Sequence, residues 1–138
     1  MPALRPAANA KPMDEKITIN VGFVDLGQID LLVQEGFYAN RTDLIRTAIR
    51  NQIAAHADAV RQVVSRRTLV LGIQHLAAAD LEAVRARHET LDVRVLGLLA
   101  IAPDVTPELA LQTLNSVQVL GSLHASPAVK SALAERLQ

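Results

Sequence analysis

The sequence predicts an α+β fold in two parts, a strand followed by two helices and then a small module of three strand-helix repeats. Three observations predict it. Residues 16–21 alternate polar and apolar side chains with a period of two, and residues 25–66 carry apolar positions at three- and four-residue spacing. Further along, the frame V-x-V-L-G-x-L-x-x-x-P at residues 93–103 returns at residues 117–127, 24 positions on.

Composition sets the outer limits. A chain of 138 residues, half of them hydrophobic, can bury one ordinary domain or two small ones. It has no cysteine, which excludes disulfides, thiolate metal sites and cysteine nucleophiles. No run approaches the roughly 18 apolar residues that span a bilayer, and the first residues, MPALRPAANAKPMDEK, lack the apolar core of a secretory signal. They read as an Ala/Pro-rich arm on a cytoplasmic protein. Formal net charge is zero, yet the residues before Thr68 hold nine Lys/Arg against seven Asp/Glu, and those from Thr68 onward hold five against seven. A basic surface on the first half is compatible with that distribution, because local clustering governs attraction to phosphate.

In the run Lys16-Ile17-Thr18-Ile19-Asn20-Val21, one face carries Ile17, Ile19 and Val21 and the other Lys16, Thr18 and Asn20. A lone strand leaves backbone N–H and C=O groups unpaired along both edges, and no second strand pattern stands near it. Its expected partner is another copy of the chain. From Asp25 the spacing turns helical through Leu26, Ile29, Leu32 and Val33, and Gly36 supplies a stop, so a short helix is expected over 25–35. Asn40 is a good N-cap for a second helix, with Thr42 and Asp43 in its first turn. The apolar stripe through Leu44, Ile45, Ala48, Ile49 and Ile53 continues through Val60, Val63 and Val64, which predicts one long helix to about Arg66. Phe37 and Tyr38 are expected to plug the turn between the helices, and Arg46 and Arg50 to lie on a solvated face.

Strand, short helix, tight turn and long helix over residues 16–53 resemble the ribbon-helix-helix family of DNA-binding repressors, the CopG/Arc/MetJ-like group. The most specific part is Gly36-Phe37-Tyr38-Ala39-Asn40-Arg41-Thr42-Asp43-Leu44-Ile45-Arg46, close to the family's run of aromatic, Asn/Ser, Arg, Ser/Thr, acidic, apolar and Arg residues. The resemblance implies a swapped-strand dimer, in which two chains pair their strands as an antiparallel ribbon that enters the DNA major groove. It further implies that Lys16, Thr18 and Asn20 read bases and that the start of the second helix, at Asn40, Arg41 and Thr42, holds a phosphate. Ile17, Ile19, Val21, Ile45 and Ile49 would then form the dimer core. The chemistry agrees, since lysine donates to guanine O6/N7, asparagine pairs bidentately with adenine and threonine meets either base or a thymine methyl. The segment VGFVDLG departs from many relatives, which enter the first helix through acidic or proline residues; Gly22 and Gly27 loosen that entrance.

In the second half a looser copy of the repeated frame, Thr68-Leu-Val-Leu-Gly72, places glycines at 72, 97 and 121. Each copy is expected to be a short buried strand ending at its glycine, then a loop and an amphipathic helix, over 78–87, 106–114 and 127–136. One such unit cannot bury both faces alone, so the copies are expected to stack as a small parallel sheet or a leucine-rich-repeat-like arc. The strands TLVLG and VQVLG carry no charge or proline against edge pairing. Val93, Val95, Leu96, Val117, Val119 and Leu120 are therefore the expected assembly surface.

The expected organisation is an arm over 1–14, a DNA-binding and dimerisation domain over 15–67, and a repeat module over 68–138 that joins dimers or receives a partner. His56, His75, His88 and His124 form no i, i+4 pair, and no Gly-rich phosphate loop or nucleophile elbow occurs. Asp80 and Glu82 read as ordinary first-turn acids. No catalysis, metal, cofactor, small-molecule ligand or membrane contact is predicted. The expected function is sequence-specific binding of double-stranded DNA by a homodimer that forms tetramers or larger species, acting as a transcriptional repressor on the nucleoid. Two alternatives are a DNA-organising or partition-type polymer and an antitoxin, although an antitoxin tail is commonly short and disordered until bound.

Overall fold

The computed structural model of the chain describes residues 14–138, so the expected arm lies outside the described residues except for Asp14. Two compact units divide between Ala55 and His56, upstream of the boundary expected at residue 67.

The first unit is an extended lead followed by two helices. Residues 15–22 join no strand ladder within the single chain. Helix α1, Phe23–Gln34, begins two residues before the expected start and has Asp25 in its first turn. Gly36 ends it in a left-handed conformation, φ +86°. The Phe37 N–H donates to the Leu32 carbonyl at 3.0 Å and the Gly36 N–H to the Val33 carbonyl at 3.1 Å, the paired bonds of a Schellman stop. Helix α2, Arg41–Ala55, follows. Neither helix contains a buried residue. Phe37, expected as a plug, is 70% exposed.

The single long helix of the sequence reading is two helices. At His56 the backbone leaves helical geometry, φ −106° and ψ 16°, and α3, Ala57–Arg67, starts afresh. Continuous periodicity hid this break because the apolar positions on its two sides serve different surfaces. Val60, Val63 and Val64 line a groove with Leu69, Leu96 and Leu120 of the second unit, and that packing overrides the preference for one unbroken helix. Thr68 closes α3 in the left-handed region, φ 53°.

The second unit alternates strand and helix: β1 Val70–Leu76, α4 Ala78–Ala86, β2 Leu91–Ile101, α5 Pro107–Thr113, β3 Leu114–His124 and α6 Pro127–Leu133, with a short 3-10 turn at Ala134–Arg136. The strands form one parallel sheet in the order β1-β2-β3. Helix starts are written locally. Thr106 accepts from the Leu109 N–H and Ser126 from the Val129 N–H, both at 3.2 Å, and Pro107 and Pro127 occupy first-turn positions where a missing N–H costs nothing. Asp80 Oδ2 accepts from the Ala77 N–H at 2.9 Å to do the same for α4.

The core lies between the helices and one face of this sheet. Leu81, Val84, Leu109, Val129 and Leu133 from the helices meet Val95, Leu99, Leu114 and Val117 from the strands. This placement corrects the expected assembly surface: Val93, Val95 and Val117 are buried there and offer nothing to another molecule. Val119 and Leu96 are half-buried, and Leu120 remains 42% exposed.

The glycines also differ from expectation. None ends its strand; each stands within one, and the three are in register, Gly72 beside Gly97 beside Gly121. Their φ angles are +123°, +139° and +122°, so the ladder passes through a row of left-handed residues and then continues. Repetition along the sequence cannot distinguish a strand end from a kink shared by three strands.

Candidate nucleic-acid interface

All six residues of the alternating lead, 16–21, are exposed in the single chain. Lys16, Thr18 and Asn20 are solvated, as base-reading groups must be. Ile17 and Ile19 are exposed as well, at 74% and 63%, and with the less exposed Val21, at 36%, they form an apolar row that the described residues leave largely uncovered. Ile17 and Ile19 line an open depression of about 770 Å³ together with Ile45 and Ile49 of α2, with Lys16, Thr42, Arg46 and Arg50 also on its wall. Ile17, Ile19, Ile45 and Ile49 of the expected dimer core therefore share one surface, whereas Val21 does not line it. That surface combines four isoleucines with charges of both signs, Lys16, Arg46 and Arg50 beside Asp14 and Glu15.

Asn40 precedes α2 and acts through its side chain as the sequence predicts: Oδ1 accepts from the Asp43 N–H at 2.8 Å. Asp43 Oδ2 reaches back to accept from the Ala39 N–H at 3.0 Å. These two bonds fix the start of the helix, and the N–H groups of Arg41 and Thr42 sit in the first turn, where an α-helix offers donors no internal acceptor. Their alignment with the helix dipole makes this end suited to an anion.

Arg41 has a partner that sequence reasoning missed. Its Nε donates to Asp30 Oδ1 at 2.7 Å and its Nη2 to Asp30 Oδ2 at 2.8 Å, a two-pronged pair that ties α1 to α2. The Arg41 hydrogen bonds hold the Asp30 carboxyl below its ordinary range, and the same contact raises Arg41. Two of the five guanidinium donors are thus committed to Asp30. Pairing rules for residues three or four apart do not reach across eleven positions and a turn.

In the second unit, Asp92 has the other shifted carboxyl. Hydrogen bonds from Ser116 Oγ at 2.7 Å and Asn115 Nδ2 at 2.9 Å keep it ionised to lower pH than usual. Both donors belong to β3 and Asp92 to β2, so this cluster fastens neighbouring strands where the register shifts between Leu91 and Asp92. It is a structural device. Among the described residues no helix is long and apolar enough to cross a membrane.

Comparison with known proteins adds one match. No curated protein and no solved structure matches the chain. The model of the Ribbon-Helix-Helix transcriptional regulator family matches residues 12–130, from ahead of the alternating lead to within α6, and so takes in both units. An apolar-and-polar lead, a Schellman stop at Gly36 and an Asn-capped second helix are thus parts of a described regulator, and the chain belongs to the ribbon-helix-helix transcriptional regulator family.

Proposed function

We propose that this chain works as a homodimer that binds a specific sequence of double-stranded DNA and represses transcription from it, in the cytoplasm on the nucleoid. One observation carries the reading: the first unit has the alternating pattern of a two-faced strand but buries neither face. Its apolar row of Ile17, Ile19 and Val21, with Ile45 and Ile49, needs a cover of the same chemistry, and a second copy supplies it. Pairing two leads as an antiparallel ribbon satisfies the unpaired backbone edges and places Lys16, Thr18 and Asn20 of both copies on one outer face. Such a ribbon fits the major groove, where donor and acceptor patterns distinguish all four base pairs. The amides at the start of α2 then seat the flanking phosphate, which fixes position without reading sequence.

The second unit joins dimers to one another. A ribbon reads only a few base pairs, and linking two dimers on adjacent sites raises affinity through local concentration without any new base contact. A nuclease footprint across the DNA upstream of the protein's own reading frame tests the whole reading. A short protected site with an internal repeat is expected. Uniform coating without sequence preference would instead make the protein a DNA organiser.

A further inference from the structure

We propose that β1 of a second copy seats beside β3 and continues the parallel sheet, so that dimers join head to tail through their second units; this rests on the assembly reading above and gives it an interface.

The sheet carries its own rule for a neighbour. A Cβ placed on Gly97 would lie 2.2 Å from the Gly72 carbonyl oxygen, and one on Gly121 would lie 2.0 Å from the Gly97 oxygen. Each carbonyl in the row is therefore faced by a residue that must be glycine. The Gly121 carbonyl ends the row within the chain, and a strand added beside β3 in the same register must present a glycine to it. At the opposite edge, Gly72 has the same left-handed backbone, φ +123°, yet nothing lies within 4 Å of where its Cβ would be. The space that a carbonyl occupies next to Gly97 and Gly121 is open next to Gly72. One edge thus requires a glycine of this conformation, and the other edge carries one.

The lengths agree with the same arrangement. Register runs Val70 to Val95 to Val119 and His75 to Ala100 to His124, so an added β1 would lie along residues 119–124. The chain's own C-terminal segment takes the β3 edge lower down, where Leu137 bridges to Val117 and the Gln138 N–H donates to the Val117 carbonyl at 2.9 Å. β1 starts its ladder only at Val70, because the left-handed Thr68 leads back into α3. The incoming strand therefore occupies the part of the edge that Leu137 leaves open. Leu71, 70% exposed, would lie beside Leu120, and neither edge strand has a charge or proline from Val70 to Ile73 or from Val119 to Ser122 that would oppose pairing. A contact between two different edges leaves one edge of each kind free after every addition, so it extends dimers into rows or, where the rotation closes, rings.

Cysteine cross-linking tests this directly, since the natural chain contains none. Within one chain, positions 71 and 120 are two strands apart, roughly 10 Å, which is too far for a disulfide; across the proposed contact they are neighbours at about 4.8 Å. The full-length Leu71→Cys/Leu120→Cys protein, oxidised without DNA, is expected to give a ladder of covalent products larger than two chains. Neither single variant should cross-link at a comparable rate. Gly72→Ala on the double-cysteine background should suppress the ladder, because its new Cβ points at the incoming Gly121 carbonyl. Rapid cross-linking by either single variant, products that stop at two chains, a ladder indifferent to Gly72→Ala, or an unmodified protein that sediments only as a dimer at high concentration would overturn the proposal. Asn20→Ala should leave the ladder intact, so failure of base reading and failure of this contact are separate results.

Discussion

At the scale of single residues, the proposed reading strand makes the sharpest demand. Asn20 has an amide that donates and accepts at once, which suits the N6/N7 edge of adenine, and truncation to alanine removes both groups while leaving the apolar row on the other face untouched. Asn20→Ala is expected to lose about 1–3 kcal/mol of discrimination at one base pair of each half-site, with dimerisation retained, as measured by binding to a panel of single-base operator variants. Unchanged preferences in Asn20→Ala, and likewise in Lys16→Ala and Thr18→Ala, would remove the ribbon from the groove. Asp30 makes a demand of a different kind. Its carboxyl is held low by Arg41, so the pair contributes stability above the unfolded value of 3.8 and loses it as pH falls through the lower folded value. Acid unfolding of the first unit should therefore show a component below about pH 4 that Asp30→Asn removes. The two-faced alternation of the lead was legible in the sequence because a period of two needs no tertiary information. The Asp30 pair was not, because only the folded turn brings the two helices' side chains together.

Elements show where sequence pattern and structure part. The recurring V-x-V-L-G frame correctly marks three strands, but a strand's own pattern carries no information about what its neighbour's backbone does. The register does: it stacks the three glycines, and two of them face a carbonyl too close for any Cβ. Gly72→Ala should cost about 1–3 kcal/mol from backbone strain alone. Gly97→Ala and Gly121→Ala add a backbone collision that only displacement of a strand relieves, so each should be clearly less stable than Gly72→Ala in urea unfolding at a concentration that keeps dimers apart. Equal stability of all three would mean that the row relaxes without cost. The break at His56 was hidden for a related reason. Apolar spacing continues through it, and only the groove formed by Val60, Val63 and Val64 with Leu96 and Leu120 shows that the second segment serves the sheet.

On the scale of the molecule, the two units obey different folding rules. The second has helices and strands closed around buried leucines and valines, and it needs nothing further to keep its core dry. The first has two helices without a fully buried residue, so in the proposed dimer most of the free energy of its apolar side chains would come from cover by the second copy. Stability of the first unit should then rise with protein concentration while that of the second, below the range where dimers associate, does not. Ile49→Asp separates the two. In the single chain Ile49 is 45% exposed, so a carboxylate there is tolerable before association. At a two-fold interface it would bury two like charges without partners, which costs several kcal/mol per ion and outweighs what a small dimer gains. Ile49→Asp is expected to abolish operator binding and the helical signal of residues 23–55, while hydrogen exchange at Val95, Leu99 and Val117 in the parallel sheet stays slow. An Ile49→Asp protein that still binds its operator would show that the surface shared by Ile17, Ile19, Ile45 and Ile49 is not the dimer interface.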